Sequence, residues 1–159
     1  MAEEIERKFL VDPDKLPSLP LPSMIRQGYI PAQGITVRVR ISGNQAFLTL
    51  KGRAKGLSRS EFEYPIPMED AEQILSELCM RPLIEKRRYL IPFGGHTWEL
   101  DIFEGDNAGL IIAEIELKAE DERFSLPEWA TKEVSHDPKY RNSSLITSPF
   151  SAWGTPERA

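Results

Sequence analysis

Apolar and polar residues alternate one for one along most of the chain, the period of a strand with two unlike faces. Glu4-Ile5-Glu6-Arg7-Lys8-Phe9-Leu10-Val11 forms a first strand, stopped by Asp12-Pro13. Residues 25–30 make a short second one. Residues 35–41 alternate apolar side chains with arginine, turn at Ser42-Gly43-Asn44 and return over 46–51 as a hairpin. Alternation resumes over 58–66 and ends at Pro67. Helical spacing then takes over: Met68-Glu69-Asp70 opens a helix with Ala71, Ile74, Leu75 and Leu78 on one face, ended by Arg81-Pro82. Residues 83–91 and 97–103 flank Gly94-Gly95 as a second hairpin, and 110–118 is the last long strand. A short helix is expected after Glu120, and another helical turn or two over 138–145. About eight strands on short turns predict an antiparallel α+β fold. The domain is expected over residues 1–148, followed by a flexible, proline-rich tail over 149–159.

The polar face of nearly every strand is charged. Glu4, Glu6 and Lys8 share a face, with Ile5 and Phe9 behind; Arg38 and Arg40 share one, backed by Val37, Val39 and Ile41. Lys51 ends a strand whose other face holds Leu48 and Leu50. Glu61 and Glu63 lie with Arg59, backed by Phe62 and Tyr64, and Lys86 lines up with Arg88. Glu99 and Asp101 pair, backed by Leu100 and Ile102. Glu114, Glu116 and Lys118 close the set, with Ala113, Ile115 and Leu117 behind. One such strand would be an ordinary solvated face. Like charges two apart on strand after strand repel, and nothing in stability explains their repetition. A shared ligand of mixed character does, and closing the strands into a barrel points all these groups at one interior. The apolar backs then face outward, where helices or a second subunit must cover them.

Composition narrows the ligand. The 159 residues are 40% hydrophobic and 28% charged, enough for one folded domain. Twenty Lys and Arg against 25 Asp and Glu give a net charge of -5, which argues against nucleic acid or an anionic membrane as a partner. The single cysteine, Cys79, excludes an internal disulfide and a cysteine zinc site. With a charged N-terminus and no apolar run long enough for a membrane span, a cytoplasmic location is expected. The strand faces supply eight carboxylates and six basic groups, an excess of two negative charges that would repel a phosphate chain. One or two Mg²⁺ or Mn²⁺ ions would invert that sign, and carboxylate oxygens suit such hard cations. A metal-dependent polyphosphate site follows from the charges alone.

The ordered motifs resemble the CYTH family, the triphosphate tunnel metalloenzymes. They are Glu-x-Glu-x-Lys at Glu4, Glu6 and Lys8, Arg-x-Arg at Arg38 and Arg40, Lys51 ending Leu-Thr-Leu-Lys, and Arg-x-Glu-x-Glu at Arg59, Glu61 and Glu63. Glu-Lys-x-Arg-Tyr over 85–89, Glu-Leu-Asp over 99–101 and a second Glu-x-Glu-x-Lys over 114–118 complete a set of seven. The resemblance covers residues 3 to 145. It implies an eight-stranded antiparallel tunnel and chemistry on triphosphates with Mg²⁺ or Mn²⁺. The opening Glu-Ile-Glu-Arg-Lys-Phe-Leu is similar to the short bacterial inorganic triphosphatases. Class IV adenylate cyclases and thiamine triphosphatases are the alternatives within the family, and a non-catalytic polyphosphate or nucleotide binder is a further one.

By resemblance and by charge, Glu4, Glu6, Glu114 and Glu116 are the expected metal ligands. Asp101 joins them for a second metal, and Glu61 and Glu63 would do that or orient the attacking water; for Glu63 and Glu99 plain ion pairing is the competing role. Arg38, Arg40 and Arg88 suit bidentate phosphate contacts, whereas Lys8, Lys51 and Lys86 act as point charges. Arg26 could join the basic set. Tyr29 or a lysine of lowered pKa, Lys8 or Lys86, could assist proton transfer. His96 and His136 are expected at the surface, Cys79 in the core, and Trp98, Trp129 and Trp153 as packing groups. The outward Ile5, Phe9, Val37, Val39, Phe62, Ile102 and Ile115 exceed what one helix can cover, so a homodimer is expected.

Overall fold

Alternation becomes nine strands in a computed structural model that describes residues 3–153. They are β1 (Glu3–Val11), β2 (Ser23–Ile30), β3 (Thr36–Ser42), β4 (Gln45–Lys51), β5 (Ser58–Pro65), β6 (Ile84–Phe93), β7 (His96–Phe103), β8 (Ile111–Glu116) and β9 (Ala130–Glu133). Helix α1 spans Met68–Glu77 and α2 spans Ser144–Thr147. At the β6–β7 turn, Gly94 and Gly95 sit at φ 60° and 84°, the left-handed pair that a two-residue hairpin favours. Strands follow the order β5-β4-β3-β2-β6-β7-β8-β1, every neighbour antiparallel. Pairing of Glu3–Ile5 with Ser58–Ser60 joins β1 to β5 and closes an eight-stranded barrel. Beyond that pairing β1 leaves β5, and β9 takes its edge at Phe9 and Val11.

Three sequence expectations are corrected. The helix expected after Glu120 is absent: residues 119–129 run as turns and loop into β9, a strand of four residues and too short to show alternation. Helix α1 ends at Glu77, with Leu78 as its cap, before the predicted stop at Arg81-Pro82. Residues 150–152, expected in a loose tail, form a single 3₁₀ turn, and Phe150 and Trp153 pack edge-to-face with Trp153 also against Tyr140. The rest of that expected tail, 154–159, lies outside the described residues.

Because much of the barrel interior is charged, two of the three hydrophobic clusters lie outside it, and the third fills one end of the interior. Helix α1 lays Ala71 and Leu75 on Val39, Ile41 and Ala46. The loop after β8 lays Phe124 and Trp129 on Phe9, Trp98, Leu100 and Ile115. At one end of the barrel the C-terminal segment lays Tyr140, Leu145 and Ile146 on Leu110 and on Phe103 and Ile112, which share the inward faces of Asp101 and Glu114. Gly28 on β2 lets the chain after α1 approach closely, since a Cβ there would fall 2.8 Å from Cys79 Sγ. Of the outward residues cited for a homodimer, Ile5, Phe9, Val39 and Ile115 are buried by the chain itself, while Phe62 is 47% exposed. The surface left for a second copy is therefore smaller than the sequence implied. Among the described residues, no helix is long and apolar enough to cross a membrane.

Trp98 centres one cluster, with the rings of Phe9, Phe124 and Trp129 packed edge-on at 5.6, 5.9 and 5.5 Å. Trp98→Ala should lower unfolding free energy by about 3–5 kcal/mol in urea denaturation. Exposed Leu90, on the neighbouring strand, should tolerate alanine within about 0.5 kcal/mol.

Candidate active site

The inward face of the barrel encloses a cavity of about 310 Å³, at the small end of small-molecule sites. Its wall has two poles. In the closed strand order β1 lies across from β2. Around β1, strands β8 and β5 complete an acidic wall of Glu4, Glu6, Glu61, Glu114 and Glu116. Around β2, strands β3 and β6 present Arg38, Arg40, Lys86 and Arg88, with Tyr29 between them. Arg59 and Arg141 also line the cavity and Asp101 does not, so eight basic and seven acidic side chains face it. The expected excess of two negative charges is thus an excess of one positive charge.

Two lysines cross onto the acidic side. Lys51 Nζ donates to both Glu4 oxygens at 3.0 Å and sits 3.4 Å from Glu61. Lys8 Nζ lies 3.8 Å from Glu114 and donates to the Tyr140 carbonyl at 3.1 Å. That last bond, with Arg141, Asn142 and Ser143 on the cavity wall, shows the C-terminal segment capping one end of the barrel. Glu63 accepts from Thr49 at 2.8 Å and from Arg38 at 3.4 Å, and Glu99 pairs with Arg88 at 3.3 Å. Asp101 is fully buried beneath the wall: Lys86 and Arg88 occupy both its oxygens at 2.7–2.8 Å. Arg26, a sequence candidate for the basic set, faces outward and binds Glu72 of α1 at 2.7 Å.

Glu6 and Glu114 hydrogen-bond to each other. Burial, then the Glu114 and Glu4 charges, raise the Glu6 carboxyl well above the usual range. Burial pushes Glu114 the same way, but Lys8, the Glu6 hydrogen bond and Arg88 hold it well below. The two carboxyls therefore share a proton where a divalent cation could stand, and Glu4 and Glu116 are raised as well, burial first. No three carboxylate, imidazole or thiol side chains form a ready-made metal cluster among the described residues. Mg²⁺ ordinarily takes only one or two carboxylates, with waters and substrate phosphates completing its shell. The donor set fits such an ion.

On the basic wall, burial with Arg38 and Arg88 nearby lowers Arg40 to about 10. Burial likewise lowers Lys86 to about 7 against the pull of Asp101. Gln27, Thr49, Ser135, Arg141 and Asn142 are additions that sequence reasoning missed. Gln27 and Thr49 share the parity of Tyr29 and Lys51, a signal available for both; the residues of the C-terminal cap carry no periodic signal. His96 pairs with Glu122 at 2.7 Å, remote from the cavity.

The CYTH domain family matches residues 2–147. An inorganic triphosphatase of Acetivibrio thermocellus is 48% identical over 151 residues, 94% of this chain and 97% of that protein. An inorganic triphosphatase of Nitrosomonas europaea is 40% identical over 154 residues, 91% of this chain and 97% of that protein. The crystal structure of the inorganic triphosphatase NE1496 is similar with a TM-score of 0.67 at 34% identity, covering 93% of this chain and 97% of that one.

The buried Lys86–Asp101–Arg88 group makes a stability prediction. Burial would raise Asp101, but Lys86 and Arg88 outweigh it and hold the carboxyl at about 2, below the ordinary 3.8. A lowered folded-state pKa contributes stability above the unfolded value that is lost as pH falls through the folded one. Asp101→Asn strands two buried cations and should cost about 3–5 kcal/mol at pH 7. In urea denaturation across pH, the gap to wild type should narrow by about 2.5 kcal/mol as pH falls through the range from 3.8 to about 2.

Proposed function

The chain belongs to the CYTH family, and from that premise we propose that it hydrolyses inorganic triphosphate to pyrophosphate and phosphate, using Mg²⁺ or Mn²⁺. The opposed walls carry this reading: a polyanion lies against Arg38, Arg40, Lys86 and Arg88 while its cation is held by carboxylates across the cavity. Every charged group on the wall suits phosphate or metal, and nothing of comparable strength reads a nucleobase.

Glu4, Glu6, Glu114 and Glu116 would hold the ion, which when bound would neutralise phosphate oxygens and activate water. The protein's own part is positioning and charge. Arg40 and Arg88 offer planar forks to non-bridging oxygens, and Arg38, whose buried Nε has no partner among the described residues, has a donor to spare for one. Lys8 and Lys51, paired with carboxylates on the acidic side and lining the cavity, would neutralise charge growing on the leaving pyrophosphate. Glu61 and Glu63 hold Lys51 and Arg38 in place. Asp101 acts as the buried counterion that orients Lys86 and Arg88 rather than as a ligand. Tyr29 and Lys86 are the groups placed to move a proton at the basic wall, where Tyr29 Oη accepts from Gln27 at 2.9 Å.

Phosphate release should be much faster from tripolyphosphate than from ATP, thiamine triphosphate or pyrophosphate, with no cyclic AMP formed. Cyclic AMP as the main product would instead establish a cyclase, and no turnover with either metal would leave a binder. Glu4→Gln combined with Glu6→Gln should abolish turnover in a folded protein.

A raised Glu6 keeps its proton as pH falls, so the cation must displace it. The Mg²⁺ concentration giving half-maximal activity should therefore rise from pH 8 to pH 6. A Mg²⁺ requirement unchanged across that range would contradict the assignment of Glu6 as a ligand.

A further inference from the structure

The side chain of Asn142 enters the cavity from the C-terminal cap, and its neighbours leave it one orientation. Its Oδ1 lies 3.0 Å from Lys86 Nζ and 3.2 Å from Gln27 Nε2. As the ammonium paired with Asp101 at 2.7 Å, Lys86 can only donate and so meets the oxygen. Gln27 is fixed independently: its Oε1 accepts from Arg40 Nε at 2.7 Å, and arginine too can only donate. The Gln27 NH₂ is therefore turned toward Tyr29 Oη and Asn142, and again requires an oxygen from Asn142. Two donor-only side chains on different strands thus set the same carboxamide. Its NH₂ is left on the far side, in a residue that lines the cavity, with no acceptor among the described residues.

The segment holding it is rigid. Leu145 and Ile146 are buried one turn later in the cluster that plugs the end of the barrel, and the carbonyl of Tyr140, two residues earlier, accepts from Lys8. A donor aimed into a phosphate-sized cavity, held by groups that cannot let it flip, has the form of a ligand contact.

We infer that Asn142 is a substrate-binding residue, its carboxamide NH₂ donating to a phosphoryl oxygen at the capped end of the tunnel. This rests on the triphosphatase reading for the identity of the ligand, though not on turnover. The cap is then part of the binding site as well as a plug, and it completes the basic wall with a neutral donor where a further cation would crowd Lys86 and Arg40. Asn142 also fixes Lys86. The ammonium has three N–H groups; Asp101 and Asn142 take two, and the third is left for the cavity.

Two variants separate contact from support. Asn142→Asp keeps the shape and the oxygen facing Lys86 and Gln27 but loses the NH₂. Asn142→Leu loses both and adds no charge. For each, KM for tripolyphosphate is measured with Mg²⁺, the dissociation constant by calorimetry with Ca²⁺ and without metal, and the melting temperature alongside. The expected result is weaker binding of tripolyphosphate by about tenfold or more in both variants, with the melting temperature of Asn142→Asp at or above that of wild type. Wild-type affinity in Asn142→Asp would reduce Asn142 to a support for Lys86 and overturn the inference, and so would wild-type affinity in Asn142→Leu. A wild type that binds tripolyphosphate without cleaving it would sink the activity while leaving the contact open to the same comparison of affinities. A wild type that does not bind it would sink both.

Discussion

The structure depends on one constraint: a closed barrel has been filled with full charges. Taking a charge out of water costs several kcal/mol unless a partner and further hydrogen bonds compensate. Most of the deep charges here meet that condition locally, while Arg40 has only the neutral Gln27 and Arg38 keeps a donor in reserve. Lys51 bridges Glu4 and Glu61, Arg88 bridges Glu99 and Asp101, and Thr49 ties Arg38 to Glu63. The consequence for the fold is inversion. Since the charged part of the interior cannot be hydrophobic core, the outer faces of the strands must supply most of it, and an open apolar surface around a barrel would aggregate. Helix α1 and the loop carrying Phe124 and Trp129 each cover a separate outer sector, while the C-terminal segment packs on the inward Ile84, Phe103 and Ile112 and closes one end. The coverings are thus demanded by the site.

The same constraint decides what could be read from the sequence. Strands with one charged and one apolar face have a strict period of two, so eight strands and their inward residues were legible, down to Glu4, Arg38 and Glu114. Like charges repeated on successive strands made a shared ligand the natural explanation before any coordinates. What stayed hidden lacks a period. Strand β9 is four residues long, and its partner β1 was already accounted for. Asn142 is a single neutral residue on an irregular segment, and only the path of the chain brings it beside Lys86. Asp101 shows a different limit. Parity gives it the same face as Glu99, and both do point inward, yet Glu99 lines the cavity and Asp101 is sealed beneath Lys86 and Arg88. Alternation distinguishes two faces of a strand; it says nothing of depth along that face in a curved wall.

Separating the charges into opposed walls also resolves a conflict that a mixed interior would create. Carboxylates beside a phosphate repel it, and basic groups beside a metal ion repel that. With acids gathered around β1 and bases around β2, cation and anion each approach a wall of opposite sign and stabilise one another between them. Where the separation is broken, the groups pair or bond locally: Lys8 and Lys51 with carboxylates that would otherwise repel each other, Glu63 with Arg38, Glu99 with Arg88, and Arg59 with the Gly52 carbonyl and Thr36.

The neutral polar residues of the basic wall complete this logic. Burial, then Arg88 and Arg40, lower the affinity of Lys86 for a proton, and burial, then Arg38 and Arg88, lower that of Arg40, so a further cation between them would be unfavourable. Gln27 and Asn142 fill that gap with oxygens for the two cations, and each necessarily turns its NH₂ the other way. For Gln27 the other side is protein: Tyr29 and Asn142 accept from it. For Asn142 it is the cavity. A chain of forced orientations therefore runs from buried arginine to amide to amide and ends in a donor facing the substrate, so the direction of that donor is set by charges it does not carry.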